Sequence, residues 1–225
     1  MGNKPVLEGM KKALPICLGY FPLGLAFGVI AQNTGLSMVQ VGVMSLLVFS
    51  GSGQFIAVAL LSLGVSFWSI IFTILLVNSR YMLFSASVSR YVKKFPSPLV
   101  ALITQGITDE TFVVSTSYFK EHPVNKKFWL ALNITSHLTW ISSTMLGVAV
   151  GNFIPDMEKL GLNFALPAMF IALFFMTAEN KKGLIVGALA GVLSVLFIVV
   201  GLKDANVILA TVIAATAGVM VKNGF

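Results

Sequence analysis

The sequence predicts an all-α integral membrane protein, a polytopic bundle of seven to eight hydrophobic segments. Three observations carry this. Of 225 residues, 57% are hydrophobic and 10% are charged, with a mean hydropathy of +0.93; a soluble domain carries about 25% charged residues. Apolar runs near the length of a bilayer span recur along the chain. The lysines and arginines gather in short clusters between those runs, as the loops of one membrane face do. The same figures exclude a disordered chain. A single cysteine, Cys17, excludes a disulfide framework and a cysteine-rich metal centre. The net charge of +7 belongs to the clusters, not to a nucleic-acid-binding face. Residues 1–225 read as a single transmembrane domain, since no linker interrupts them.

The runs fall near residues 13–32, 38–63, 67–89, 99–118, 128–150, 162–178, 184–202 and 205–221. No run alternates with period two, so helices rather than a barrel must satisfy the backbone. Pro15 and Pro22 interrupt the first run, and no clean cleavage site follows it. It therefore reads as a retained, kinked helix rather than a signal peptide, with Pro22 as a hinge. The second run holds Ser50-Gly51-Ser52-Gly53-Gln54 near its middle. Glycine and serine are poor helix formers, which predicts a helix broken or re-entrant near residues 50–54. Gly51 and Gly53 are then further hinge candidates. A break frees backbone N–H groups at the start of the second half-helix, beside the positive end of its dipole. A carboxylate fits there, and the Gln54 amide adds a donor and an acceptor.

The third run carries Asn78-Ser79-Arg80 near its centre, and the fourth carries Thr108-Asp109-Glu110 near its own. An arginine at that depth costs at least ~2.5 kcal/mol on insertion and needs a partner. Matched depth predicts an ion pair between Arg80 and Asp109 or Glu110. The two acids cannot share one helix face, so one pairs with the arginine and the other meets water, substrate or a proton. In the fifth run, Asn133, His137, Trp140 and Thr144 lie on one helical stripe; the expected role of His137 is a hydrogen bond across a helix interface. Small residues four apart, among them Gly24/Gly28, Gly147/Gly151 and Gly183/Gly187/Gly191, predict close helix packing.

Charge places the N-terminus, the 119–127 loop, the 179–183 loop and the C-terminus with Lys222 in the cytoplasm, and the acidic 151–161 loop outside. One cluster resists: plain crossings put Arg90, Lys93 and Lys94 outside. Either the charge rule fails there, or a segment among 38–63, 67–89 and 99–118 enters and returns on the same side. No metal-ligand pair, phosphate-binding glycine loop or nucleophile elbow occurs. The chain is read as a non-enzyme with no metal and no cofactor.

Four stretches together resemble the AzlC-type branched-chain amino acid transporter family. They are Gly19 to Gly28, Gly35-Leu36-Ser37 leading to Phe49-Ser50-Gly51-Ser52-Gly53-Gln54-Phe55, Asn78-Ser79-Arg80-Tyr81, and Thr108-Asp109-Glu110-Thr111-Phe112. The family form often has alanine at the position of Gly53 and histidine at that of Tyr81. The resemblance implies the large subunit of a permease in a bacterial cytoplasmic membrane. It also implies export of leucine, isoleucine and valine, with a small hydrophobic AzlD-type partner. The expected substrate site comprises Ser50, Gly51, Ser52, Gly53, Gln54, Asn78 and Arg80. Asp109 or Glu110 would take the ammonium group or a coupling proton, and Phe21, Phe27, Phe49 or Phe55 would supply an apolar wall. A passive channel or a non-transporting membrane subunit is the alternative.

Overall fold

Glycine decides how the two longest helices meet. The computed structural model describes residues 4–151, 181–201 and 206–220, with the single positions 153, 164, 171, 174 and 175. The chain divides into two compact units, Met1–Leu166 and Pro167–Phe225. In the first, α1 (Lys4–Asn33) runs unbroken through Pro15 and Pro22, and α8 (Lys126–Gly151) lies against it. Gly9 abuts Phe128 and Ala131, Gly24 abuts Ser143, Gly28 abuts Thr144 and Gly147, and Gly151 abuts Gln32. The partners advance together along both helices, so α1 and α8 run parallel, backbone against backbone. The glycine spacing anticipated this contact.

Parallel packing requires an odd number of full crossings between α1 and α8. Only one of the three intervening apolar runs crosses. Ser37 caps α2 (Met38–Leu47) with a capping box completed by Gln40. Residues 48–50 are not helical, and α3 (Gly51–Ser62) starts anew under the cap of Ser50, whose Oγ accepts from Gly53 N–H. The chain then turns back. Phe49 touches Tyr20 while Phe55 touches Phe27, one helical repeat further along α1, and Gln54 Nε2 reaches back to Ser45 Oγ at 3.1 Å. At ~1.5 Å per residue each half is ~15–18 Å long, half a bilayer. The α2–α3 pair is a re-entrant hairpin.

The crossing run is α4 (Phe67–Asn78) with α5 (Arg80–Val92), joined at Ser79. Next come α6 (Ser97–Gln105) and α7 (Asp109–Glu121), which form a second re-entrant hairpin from the opposite face. Ile103 and Gly106 meet Asn133 deep in the bundle, and α7 descends again until Phe119 packs on Phe128 and Trp129. Thr108 caps α7 reciprocally with Thr111. The expectation of a single returning segment is thus corrected to two, one from each side. A hydropathy run of ~20 residues looks alike whether it crosses or bends at its centre.

This topology removes the charge conflict. Arg90, Lys93 and Lys94 now share one end of the bundle with Lys4, Lys11, Lys12, Lys120, Lys126 and Lys127, while residues 33–66 at the other end carry no charge. Within the described part of this unit, only Arg80, Asp109 and Glu110 bring charge to mid-depth.

In the second unit, α9 (Lys181–Val199) packs on α10 (Asn206–Met220), with Gly218 against Val186. α9 is long and apolar enough to span a membrane. The expected sixth run with Pro167, the acidic residues Asp156 and Glu158, and Lys222 lie outside the described residues.

Candidate functional site

The tips of the two opposed hairpins meet beside Tyr20, halfway along α1. Arg80, at the start of α5, joins them. Its Nη2 donates to Ser52 Oγ in the first turn of α3 at 2.7 Å and lies 3.0 Å from Asp109 Oδ2 in the first turn of α7. The predicted ion pair is therefore present, and Asp109 is the acid that makes it. Glu110 faces elsewhere. The Tyr20 hydroxyl donates to Glu110 Oε2 at 2.6 Å and lies 2.7 Å from Thr108 Oγ1. A phenol carries one proton, so with that proton on the Glu110 side, Thr108 must donate to Tyr20. A chain Thr108–Tyr20–Glu110 results.

Ser50 organises the tip of the α2–α3 hairpin. Its hydroxyl donates to Asn78 Oδ1 at 2.8 Å, accepts Gly53 N–H, and is approached by the Tyr81 hydroxyl at 3.4 Å. A Cβ at Gly53 would lie 3.2 Å from Asn78 Nδ2, and one at Gly51 3.2 Å from the Trp140 ring. Glycine at both positions lets the tip sit this close. The backbone N–H groups of Gly51 and Ser52 have no acceptor among the described residues. Arg80 Nε is likewise a buried donor without a partner. Two unpaired backbone donors thus lie at the dipole-positive end of α3, and the guanidinium that carries the third is held there by the Nη2–Ser52 bond.

The polar stripe on α8 holds both hairpins. Asn133 donates to Ile103 O of the α6–α7 hairpin at 3.0 Å. His137 Nε2 contacts Ser45 O at 2.9 Å, and its ring stacks on Phe49. Trp140 Nε1 donates to Gln54 Oε1 at 2.7 Å, and Thr144 Oγ1 donates to Ser45 Oγ at 2.9 Å. Gln54 is fully buried with oxygen and nitrogen both engaged. It clasps α3 to α8.

A family model described as "AzlC protein" matches residues 15–154. The chain belongs to the AzlC family. A relative named "Inner membrane protein YgaZ", from Escherichia coli (strain K12), is 30% identical over 85% of this chain and 82% of its own length. "Branched-chain amino acid transport protein AzlC" of Bacillus subtilis (strain 168) is 28% identical over 75% of this chain and 66% of its own length. An "Uncharacterized membrane protein" of Archaeoglobus fulgidus is 33% identical over 78% and 76%. No solved structure matches. The chain is a membrane protein of a transport family.

The AzlC match contains both hairpins, α5, α8 and α1 from Pro15 onward, and so every residue of the site. Ser50, Gly51, Ser52, Gly53, Asn78, Arg80 and Asp109 are brought together. Glu110 sits on the Tyr20 side, and Gln54 turns away into the α8 interface. Pro22 lies two residues beyond Tyr20 on α1 and is exposed; it cannot donate a hydrogen bond to Leu18 O. Of the expected apolar wall, Phe27, Phe49 and Phe55 are buried, whereas Phe21 is 46% exposed and does not join them. Sequence reasoning missed Tyr20 and Thr108. Signals for both exist: a tyrosine inside an apolar run needs a partner for its hydroxyl, and Gly106 followed by Thr108-Asp109-Glu110 is a helix-start pattern.

Proposed function

We propose that this protein is a secondary transporter exporting branched-chain or other small neutral amino acids, driven by proton entry. The observation that carries the reading is the meeting of the two hairpin tips around Arg80 at mid-depth. The Gly51 and Ser52 N–H groups and Arg80 Nε would receive the substrate carboxylate. Ser50, Gly53 and Asn78 shape that receptor, and Gln54 fixes its position. Asp109 would face the ammonium group, and Phe27, Phe49 and Phe55 offer the nearest apolar surface for a branched side chain. Because the tips approach from opposite faces, movement of one hairpin at a time opens the site to one side only. Pro22, Gly51 and Gly53 are the hinges proposed for this. Glu110, linked through Tyr20 to Thr108, is the proposed proton carrier, since Asp109 is held by Arg80.

The basic end is assigned to the cytoplasm by the positive-inside rule, which puts the N-terminus there; the C-terminus is proposed to lie on the same side. A bacterial-type inner membrane and a small hydrophobic AzlD-type subunit complete the proposal. No catalytic or cofactor role is assigned.

The test is valine transport in proteoliposomes, with and without the small subunit. Saturable counterflow of labelled valine is expected, and non-saturating flux would favour a channel. Glu110→Gln should keep counterflow but lose acceleration by a pH gradient. A variant that still responds fully to the gradient would remove Glu110 from coupling while leaving the substrate assignment intact.

A further inference from the structure

A cavity of about 490 Å³ lies at the basic end of the first unit, away from the hairpin tips. Two chain corners and the adjoining helix ends build it. Lys94 and Phe95 come from the α5–α6 corner, Leu99 from α6, and Val124, Lys126 and Lys127 from the α7–α8 corner, with the start of α1 closing one side. No acidic residue lines it, and none of the three lysines forms an ion pair with a described residue. All three lysines are exposed, so water screens part of their mutual repulsion and an anion seated among them relieves the rest. The second and third amides of α8 are already served, because Asn125 Oδ1 accepts from Lys127 N–H at 2.9 Å and Phe128 N–H at 3.4 Å. The lysine side chains are the charged donors offered to an anion, and point charges on flexible stems suit phosphate.

We propose that this cavity binds the phosphate headgroup of an anionic membrane lipid. Two features favour lipid over a free anion. The cavity sits among the helix ends where headgroups lie, and basic pockets between helix ends at the cytoplasmic face hold such lipids. Its lining is part apolar, through Phe95, Leu99 and Val124, which suits a glycerol backbone and the start of an acyl chain but adds nothing to a small ion. A lipid seated there ties the root of the α6–α7 hairpin to α1 and to α8. The site bears on the hairpin proposed to gate transport, yet its occupancy does not depend on what the protein carries.

Native mass spectrometry of the purified full chain tests this, with phosphatidylglycerol, phosphatidylcholine and inorganic phosphate as probes. Phosphatidylglycerol adducts should survive activation while phosphatidylcholine adducts do not. Lys94→Gln, Lys126→Gln and Lys127→Gln together should weaken phosphatidylglycerol binding on the order of a hundredfold. The charge-matched set Lys11→Gln, Lys12→Gln and Lys120→Gln, outside the cavity, should change it little. Arginine at the three cavity positions should retain binding, which separates loss of charge from loss of fold. Equal loss in both glutamine sets, or unchanged adducts in the cavity set, overturns the site. Full displacement of the lipid by millimolar inorganic phosphate overturns the lipid assignment and makes it a free-anion site.

Discussion

Arg80→Gln and Asp109→Asn, made singly and together, measure how much of the fold depends on charge at mid-depth. At 3.0 Å the two groups attract by about 5 kcal/mol at an effective permittivity of about 20. Removing one partner of a fully buried pair costs about 3–5 kcal/mol, because the other charge stays desolvated. Here the side chains are 28% and 9% exposed, so water screens the arginine and each single variant should lose about 2–3 kcal/mol. The double variant leaves two neutral amides that can bond each other, and it should lose only about 1 kcal/mol. The resulting coupling is about 3–5 kcal/mol. Equilibrium unfolding in mixed micelles gives the four stabilities, and counterflow on the same samples gives transport. The double variant should recover stability without recovering transport. Additivity of the single variants within about 0.5 kcal/mol would refute the pair as an energetic unit. Wild-type transport in the double variant would refute its place in the site.

Two further substitutions separate scaffold from site. Gln54→Leu leaves the Trp140 indole N–H buried without an acceptor, so stability should fall by about 1–3 kcal/mol; unchanged stability with lost substrate affinity would place Gln54 against the substrate instead. Gly28→Ala drives a methyl group into the backbone of α8 at Thr144, Gly147 and Val148 and should cost about 1–3 kcal/mol. Gly19→Ala on the same helix meets open space and should be neutral or gain up to about 1 kcal/mol; equal effects of the two in a thermal-unfolding assay would contradict the seam.

What could be read in the sequence was what local chemistry forces. Gly51, Gly53 and their serines are poor helix material, and the helix does fail there, although the non-helical residues are 48–50 and residues 51–54 already form the first turn of α3. Arg80 needed a partner at its own depth, and Asp109 provides it. The α8 stripe was legible because side chains four and three apart share a face. Direction was not legible. Whether residues 38–62 cross or return depends on Ser45 and Gln54 finding each other across the break, and on His137, Trp140 and Thr144 about ninety residues away. Arg90, Lys93 and Lys94 did carry the missing information, as a violation of the charge rule that plain crossings did not explain. The second break was concealed because Thr108-Asp109-Glu110 drew attention as charge at depth rather than as the beginning of a helix.

The clasp between the α2–α3 hairpin and α8 also has a consequence for assembly in the cell. Gln54 and Ser45 emerge from the ribosome 86 and 99 residues before Trp140 and Thr144, which is on the order of 5–20 s of synthesis. Gln54 Nε2 and Ser45 Oγ can pair within the hairpin, but throughout that interval Gln54 Oε1 lacks its Trp140 donor in a solvent that supplies none. The early hairpin must be sheltered by the insertion machinery, or remain at the lipid surface, until α8 arrives to receive it.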